Sequence, residues 1–576
     1  MKAGFLALSL WATALAVACA PVDPRVKPAN SAAPREAPPA RPLVLVLRDE
    51  PQDLSDNLAG RATFAKAMFG ALLTGADELG VPYPVLASVP QLNTDTWRVT
   101  PDGRMETTYR LKPGLTWHDG RPLTADDFVF GAQIRDARNQ YGLHLAGTAE
   151  TVAEPKAIEA VAAPSPAELI IRWRQLHADA ATPTLQPMPQ HILGEAFERV
   201  ATQPALLGAS PYWTSEWVGT GPYRLTQWEP GAFLEATAFS NYALGRPKID
   251  RIILKWSGDP NTTVTRLLAK DADIAFGFAL GFEQALTLRR EWSQTAAGLL
   301  ILSPRTTRFV GAQLRSAFAS PRAILDVRVR KASVHAIDRR SLVDVLLERE
   351  GQVAEVFALP SEPFYGELLR TAELYPYDLR RTEELMREAG FVKGQDGMYA
   401  GLDEGRFAPE VWGIAEGKDG KEVTLVTQMF REAGMDAQLR LFPSVQMQNS
   451  NELKATYPAW RINYLATPQK FYGPDAASLE NSWAGTNKVG WLNPENVRLV
   501  DLYNQALTPD ERKQAMLQAY KLMNGDLPGL PLYYDVDVTA HVAELKGPGE
   551  ALTPNTPIVR NLHEWAWKLH ERERSP

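Results

Sequence analysis

The chain of 576 residues has a single cysteine, Cys19, so its folded body can hold neither a disulfide nor a thiolate metal site. Histidine is scarce as well. The eight histidines, His118, His144, His177, His191, His335, His541, His563 and His570, are scattered, without the helical pairing that a metal-dependent hydrolase uses. No nucleophile elbow, phosphate loop or calcium loop occurs, so there is no recognisable catalytic machinery, and neither a metal nor another cofactor is expected. A surplus of positive charge is also lacking. The formal net charge is -7 with both signs interspersed, and no basic stripe is available to neutralise phosphates, which excludes nucleic acid as a partner. Long apolar runs are absent too: the stretch from Ala3 to Val17 is too short to span a bilayer comfortably.

What remains is an ordinary globular composition, 45% hydrophobic and 22% charged, on a chain too long for one hydrophobic core. Lys2, the apolar run and the small residues before Cys19 have the layout of a secretion signal. Leu15-Ala16-Val17-Ala18-Cys19 resembles a bacterial lipobox, which implies cleavage before Cys19, lipidation of that residue and a membrane anchor in the periplasm or at the cell surface. From Ala20 to Pro42 seven prolines stand among small and charged residues, a composition that forms an extended tether and packs no core.

The body begins with Leu43 to Leu47, an uninterrupted apolar run of strand length that suits a strand covered on both faces. Trp97-Arg98-Val99 and Thr107 to Leu111 flank the turn Pro101-Asp102-Gly103 and predict a hairpin. Thr124 and Asp127 then supply a capping box ahead of Phe128, Val129 and Phe130. Asp378 caps a further helix with Thr382, Leu385, Met386 and Ala389 at helical spacing, stopped by Gly390. Short apolar strands alternate with helices around residues 252–276 and 423–441, which argues for α/β lobes. Arg328, Arg330, Lys331, Arg339 and Arg340 read as the solvated face of one helix, opposite Val334, Ile337 and Leu342. Gly219-Thr220-Gly221 lacks the Lys-Ser/Thr of a phosphate loop and reads as a turn between lobes, while His118 with Asp119 reads as a turn pair.

Several of these segments, in this order, resemble the family 5 extracellular solute-binding proteins of dipeptide, oligopeptide and nickel importers. They are Thr96-Trp97 to Asp102-Gly103, Tyr109-Arg110-Leu111, Trp117-His118-Asp119-Gly120, Leu123 to Val129, Gly219 to Tyr223, Asn241-Tyr242, Asp271 to Ile274, Val329 to Ala332 with Ala336 to Arg339, Tyr377-Asp378, and Leu527 to Tyr533. The resemblance implies a two-lobed, hinged α/β periplasmic-binding-protein fold with an additional inserted domain. It also implies a monomer that closes on a peptide or peptide-like solute and delivers it to an ABC permease with its ATPase subunits. On that mapping the signal occupies 1–19 and the tether 20–42. The first lobe takes 43–85, 208–312 and 528–570, the inserted domain 86–207, and the second lobe 313–527.

The implied ligand-binding residues are Trp217, Tyr223 and Phe278 from the first lobe, and Trp412, Gly413, Trp460, Arg461 and Asn463 from the second. Rings in loop-like settings suit a concave site, and they suit sugars or metal chelates as readily as peptides. Peptide-specific members place an aspartate shortly after the position of Trp460. Here Trp460 to Pro468 contains no acidic residue, and Asp475 is the first after it. An oligosaccharide, opine-like or metal-chelate binder, a sensor for a signalling receptor and an extracytoplasmic hydrolase are the alternatives; the last would require a nucleophile paired with a base.

Overall fold

The structure is a computed structural model that describes residues 41–51, 54, 63–70, 85–143, 157–181, 183, 185–402, 404–465, 468–549 and 558–568. Cys19, the signal and the tether as far as Ala40 lie outside the described residues.

The apolar run Leu43–Leu47 is strand β1, and it lies between two parallel neighbours, β9 (Arg251–Trp256) and β10 (Ile274–Ala275). A strand with neighbours on both edges and cores on both faces needs apolar side chains throughout, which is why its sequence does not alternate. Beyond β9 come β8 (Phe233–Ala238) and β7 (Tyr223–Glu229), both antiparallel. These strands form the first lobe's half of a ten-stranded sheet.

The second half contains β15 (Glu410–Ile414), β16 (Gln438–Phe442) and β17 (Trp460–Leu465), mutually parallel. Two long strands, β11 (Gly298–Ala312) and β18 (Gly529–Val542), join the halves. Their pairing changes partners midway. Residues 274–275 of β10 pair with 540–541 of β18, while residues 307–312 of β11 pair with β17. Between these stretches the β11–β18 register slips at Pro304/Thr306 and Arg308/Phe309, so the passage from one lobe to the other falls inside the two strands.

A separate antiparallel sheet contains β2 (Leu86–Ser88), β3 (Trp97–Val99), β4 (Met105–Leu111), β5 (Ile158–Ser165) and β6 (Glu168–Trp173). It carries the helix Ala125–Tyr141 and has its own core around Trp97, Tyr109, Trp117, Phe128 and Trp173. The predicted hairpin is β3–β4, and Thr124 N–H donates to Asp127 Oδ2 at 2.9 Å as the capping box requires. A small sheet, β12 (Phe391–Lys393), β13 (Tyr399–Gly401) and β14 (Gly405–Arg406), follows the helix Leu379–Glu388, whose Asp378 cap accepts from the N–H groups of Arg380 and Arg381.

Two local expectations are corrected. The residues 328–340 do not form one helix: Val327–His335 ends and Asp338 caps a new helix, Arg339–Leu346. The break turns Arg330 and Arg339 inward, where carbonyls receive them: Arg330 donates to Ile324 O, Leu325 O and Asp526 O at 2.8–3.1 Å, and Arg339 to Ala354 O at 2.7 Å. Gly219-Thr220-Gly221 lies against residues 68–69 of the first lobe's core, not between lobes; a Cβ on Gly219 would sit 1.8 Å from Phe69 O.

His118 fastens this glycine turn. Its Nδ1 accepts from Gly219 N–H at 3.2 Å, and its Nε2 faces Gly221 O at 3.0 Å, which fixes a neutral ring protonated on Nε2. Burial pushes the imidazole down to about 4. The folded state therefore binds fewer protons than the unfolded chain between pH 4 and pH 6.5, and stability falls as pH drops through that window. The expected loss is up to about 3 kcal/mol. Urea unfolding of the parent and a His118→Gln variant at pH 4.5 and 7 should show the difference between them narrowing at the lower pH.

Candidate functional site

Strand direction locates the site. β10 runs antiparallel to β18, so the segment following it, Phe276 to Phe278, heads toward residue 537, while β17 runs along β11 until Leu465 faces Thr307. The carboxyl ends of parallel strands from both lobes thus converge on the crossover at residues 303–307 and 534–537. In open α/β sheets this is where ligands bind.

The crossover carries charge on strands that are otherwise apolar. Arg305 pairs with Asp537 at 3.5 Å and lies 4.2 Å from the centre of the Phe278 ring. Lys418, in the first turn of the helix Gly417–Ala433 that follows β15, pairs with Asp535 and stands 5.4 Å from the Tyr533 ring centre. Arg308 is buried and pairs with Asp419 at 2.8 Å and with Glu422, whose side chain is 0% exposed. The two aspartates respond oppositely. Burial drives Asp535 up, but Lys418 and Arg308 outweigh it and hold the carboxyl below the usual range. Burial raises Asp537, with Arg305 offsetting only part, and its buried Oδ1 has no hydrogen-bond partner among the described residues. The lobes also touch at the cleft edge: Lys421 pairs with Glu283 at 2.6 Å, and Phe282 and Leu286 of the helix Phe282–Ser293 join the second lobe's core.

Of the residues singled out from sequence, three are near this crossover. Phe278, at φ 66° and 45% exposed, covers Arg305. Arg461 and Asn463 share one face of β17; Arg461 is 7% exposed and makes no hydrogen bond or ion pair among the described residues, its Nε being a buried donor without a partner. Trp412 is beside Arg461 in register, half-buried against Phe442 at 4.7 Å with Nε1 bonded to Glu410 at 2.7 Å. Gly413 is where β15 meets the helix Gly417–Ala433, since a Cβ would fall 2.9 Å from Val423.

The other three rings belong to cores. Trp217 stacks on Tyr212 at 4.9 Å and bonds to Phe69 O, Tyr223 donates its hydroxyl to Ile249 O at 3.1 Å, and Trp460 packs against Phe430 at 5.9 Å. Sequence reasoning passed over Arg305, Arg308, Lys418, Glu422, Asp535 and Asp537. One signal could have found the aspartates: Tyr533 to Val538 has acids at alternate positions of an apolar strand, where an uncompensated carboxylate is costly.

Among the described residues no group of three or more His, Cys, Asp or Glu could hold a metal ion, and no helix is long and apolar enough to cross a membrane.

The comparisons with known proteins agree with one another. The model of the bacterial extracellular solute-binding proteins, family 5 (middle region), matches residues 87–482. Oligopeptide-binding protein AppA of Bacillus subtilis is 22% identical over 501 residues, 84% of each chain. Among solved structures, the oligopeptide binding protein of Thermus thermophilus complexed with a pentapeptide superposes with a TM-score of 0.70 at 20% identity, over 91% of this chain and 96% of that one. NikZ of Campylobacter jejuni in complex with Ni(L-His) gives 0.69 at 19% identity, over 91% and 99%.

Proposed function

This chain belongs to the bacterial extracellular solute-binding proteins, family 5, and from that premise we propose that it captures a peptide or peptide-like solute between its lobes and delivers it, unchanged, to an ABC permease with its ATPase subunits. The observation that carries this reading is the convergence of parallel strand ends from both lobes on the β11–β18 crossover, with polar atoms held there without partners. A solute bridging Phe278 and Asp537 on one side and Arg461 and Asn463 on the other would favour the closed arrangement. Trp412 and Gly413 would shape the second lobe's wall, with Trp460 supporting that lobe and Trp217 and Tyr223 the first lobe from their cores. The neighbours named for oligopeptides support a peptide-like solute without choosing its length, while the one in complex with Ni(L-His) suits the metal-chelate alternative.

On this reading residues 43–85, 208–312 and 528–570 form the first lobe, 86–207 the inserted domain and 313–527 the second lobe. The protein acts as a monomer. Lipidation at Cys19 anchors it outside the cytoplasmic membrane, and the proline-rich segment keeps the lobes clear of the lipid surface.

A thermal-shift screen of the purified protein against free and blocked peptides tests the reading. A peptide at about 100 times its Kd should add roughly 2.7 kcal/mol. Small-angle scattering should show the radius of gyration falling with the same peptide. Stabilisation by no peptide of any length would overturn the reading.

A further inference from the structure

Next to β17 is a group of cations that lacks counter-charge. The Arg461 side chain makes no hydrogen bond among the described residues, and its guanidinium lies 5.5 Å from the centre of the Tyr457 ring. Lys470 donates to Tyr464 O, Lys454 to Gln448 O at 2.6 Å, and Lys488 to Asn451 Oδ1 at 3.3 Å and to Trp483 O. Every acceptor is neutral, and none of the four forms an ion pair among the described residues. Arg315, close by, shows what a satisfied structural arginine looks like here: it spends its donors on the carbonyls of Ala455, Lys488, Ala477 and Asn487 at 2.8–3.2 Å.

The four cations act on one another. Burial together with Arg461, Arg308, Lys488 and Lys454 pushes Lys470 down to about 7, and burial together with Lys454 and Arg461 pushes Lys488 down to about 8 despite Asp475. Asp475, the first acid after Trp460, is occupied by the N–H and hydroxyl of Thr486. An arginine 7% exposed and without an ion-pair partner among the described residues carries a desolvation cost, which a bound anion would offset. The group is open to solvent at Tyr464, 53% exposed, whose ring centre is 4.0 Å from Lys470 Nζ.

We propose that this group of cations receives an anionic group of the solute, a carboxylate or a phosphoryl group held by Arg461 with Lys470, so that the protein selects acidic solutes over those presenting a free ammonium there. The inference rests on the solute-binding reading above. It sharpens that reading by fixing the sign of charge at the second lobe.

The test compares C-terminally amidated trialanine with a free amine and its N-acetyl, N-succinyl and phosphonoacetyl derivatives, likewise amidated, by titration calorimetry. The succinyl and phosphonoacetyl forms should bind at least about 10-fold tighter than the acetyl form, as a charge-assisted contact requires. Which of the two is tighter distinguishes carboxylate from phosphoryl recognition. Arg461→Gln should erase the preference, bringing the succinyl and phosphonoacetyl forms to the affinity of the acetyl form in the same variant, and should raise the melting temperature of the protein without solute. Lys470→Gln, at a half-buried position, should reduce the preference without a folding defect. Equal or tighter binding of the free-amine form, or a preference unaltered in both variants, would overturn the proposal and leave the peptide reading standing. Binding of none of the four would count against both.

Discussion

Arg308→Met is expected to cost about 3–5 kcal/mol of folding free energy, because it strands Glu422, fully buried in the second lobe, without its cation. Burial already raises the Glu422 carboxyl, with Arg308 offsetting only part of that shift. Once orphaned, it would shed its charge by taking up a proton. The loss should therefore be larger at pH 8 than at pH 5, a dependence readable from urea midpoints at the two values. The double variant Arg308→Met with Glu422→Leu should recover most of the stability, since removing both members of a buried pair is far cheaper than removing one. A small loss in the single variant, independent of pH, would mean that Lys418 and water compensate the Glu422 charge.

Trp460→Ala should cost a comparable amount, about 3–5 kcal/mol, because the ring is 0% exposed and fills the space between β17 and Phe430. Trp460→Phe should cost much less, about 1.5 kcal/mol or below, since it keeps most of the volume and deletes a buried indole N–H that has no partner. Solute affinity should follow stability in neither variant. If affinity collapsed in Trp460→Phe while the denaturation midpoint held, Trp460 would be a contact residue after all.

That contrast measures how far the sequence could be read. Signals confined to one segment survive into the fold: the apolar run of β1, the β3–β4 hairpin and the caps at Thr124 and Asp378 each depend on residues only a few positions apart. The site depends on separations no local pattern encodes, for Arg308 meets Glu422 across 114 positions and Lys418 meets Asp535 across 117. A tryptophan in sequence looks the same whether its ring lines a cleft or fills a core, and only neighbours such as Phe430 or Tyr212 decide between them. Arg461 and Asn463 came from the family resemblance, and the structure sets them on one face of β17. The meaning of Arg461 was not legible, since its lack of a counter-charge is a property of everything around it.

The joining of distant segments in the first lobe has a kinetic consequence. β1 finds its partners only in β9 and β10, β10 is closed on its other side only by β18, and Arg41 stacks on Trp567 while the indole bonds to its carbonyl, 526 positions away. A nascent chain cannot complete this sheet until Val542, the end of β18, has emerged, and loops of such length close slowly. Early strands must wait with unpaired edges, exposed to aggregation and to proteases. A truncation before Ile558, which removes Trp567 and its hold on Arg41, should therefore act first on the yield of folded protein.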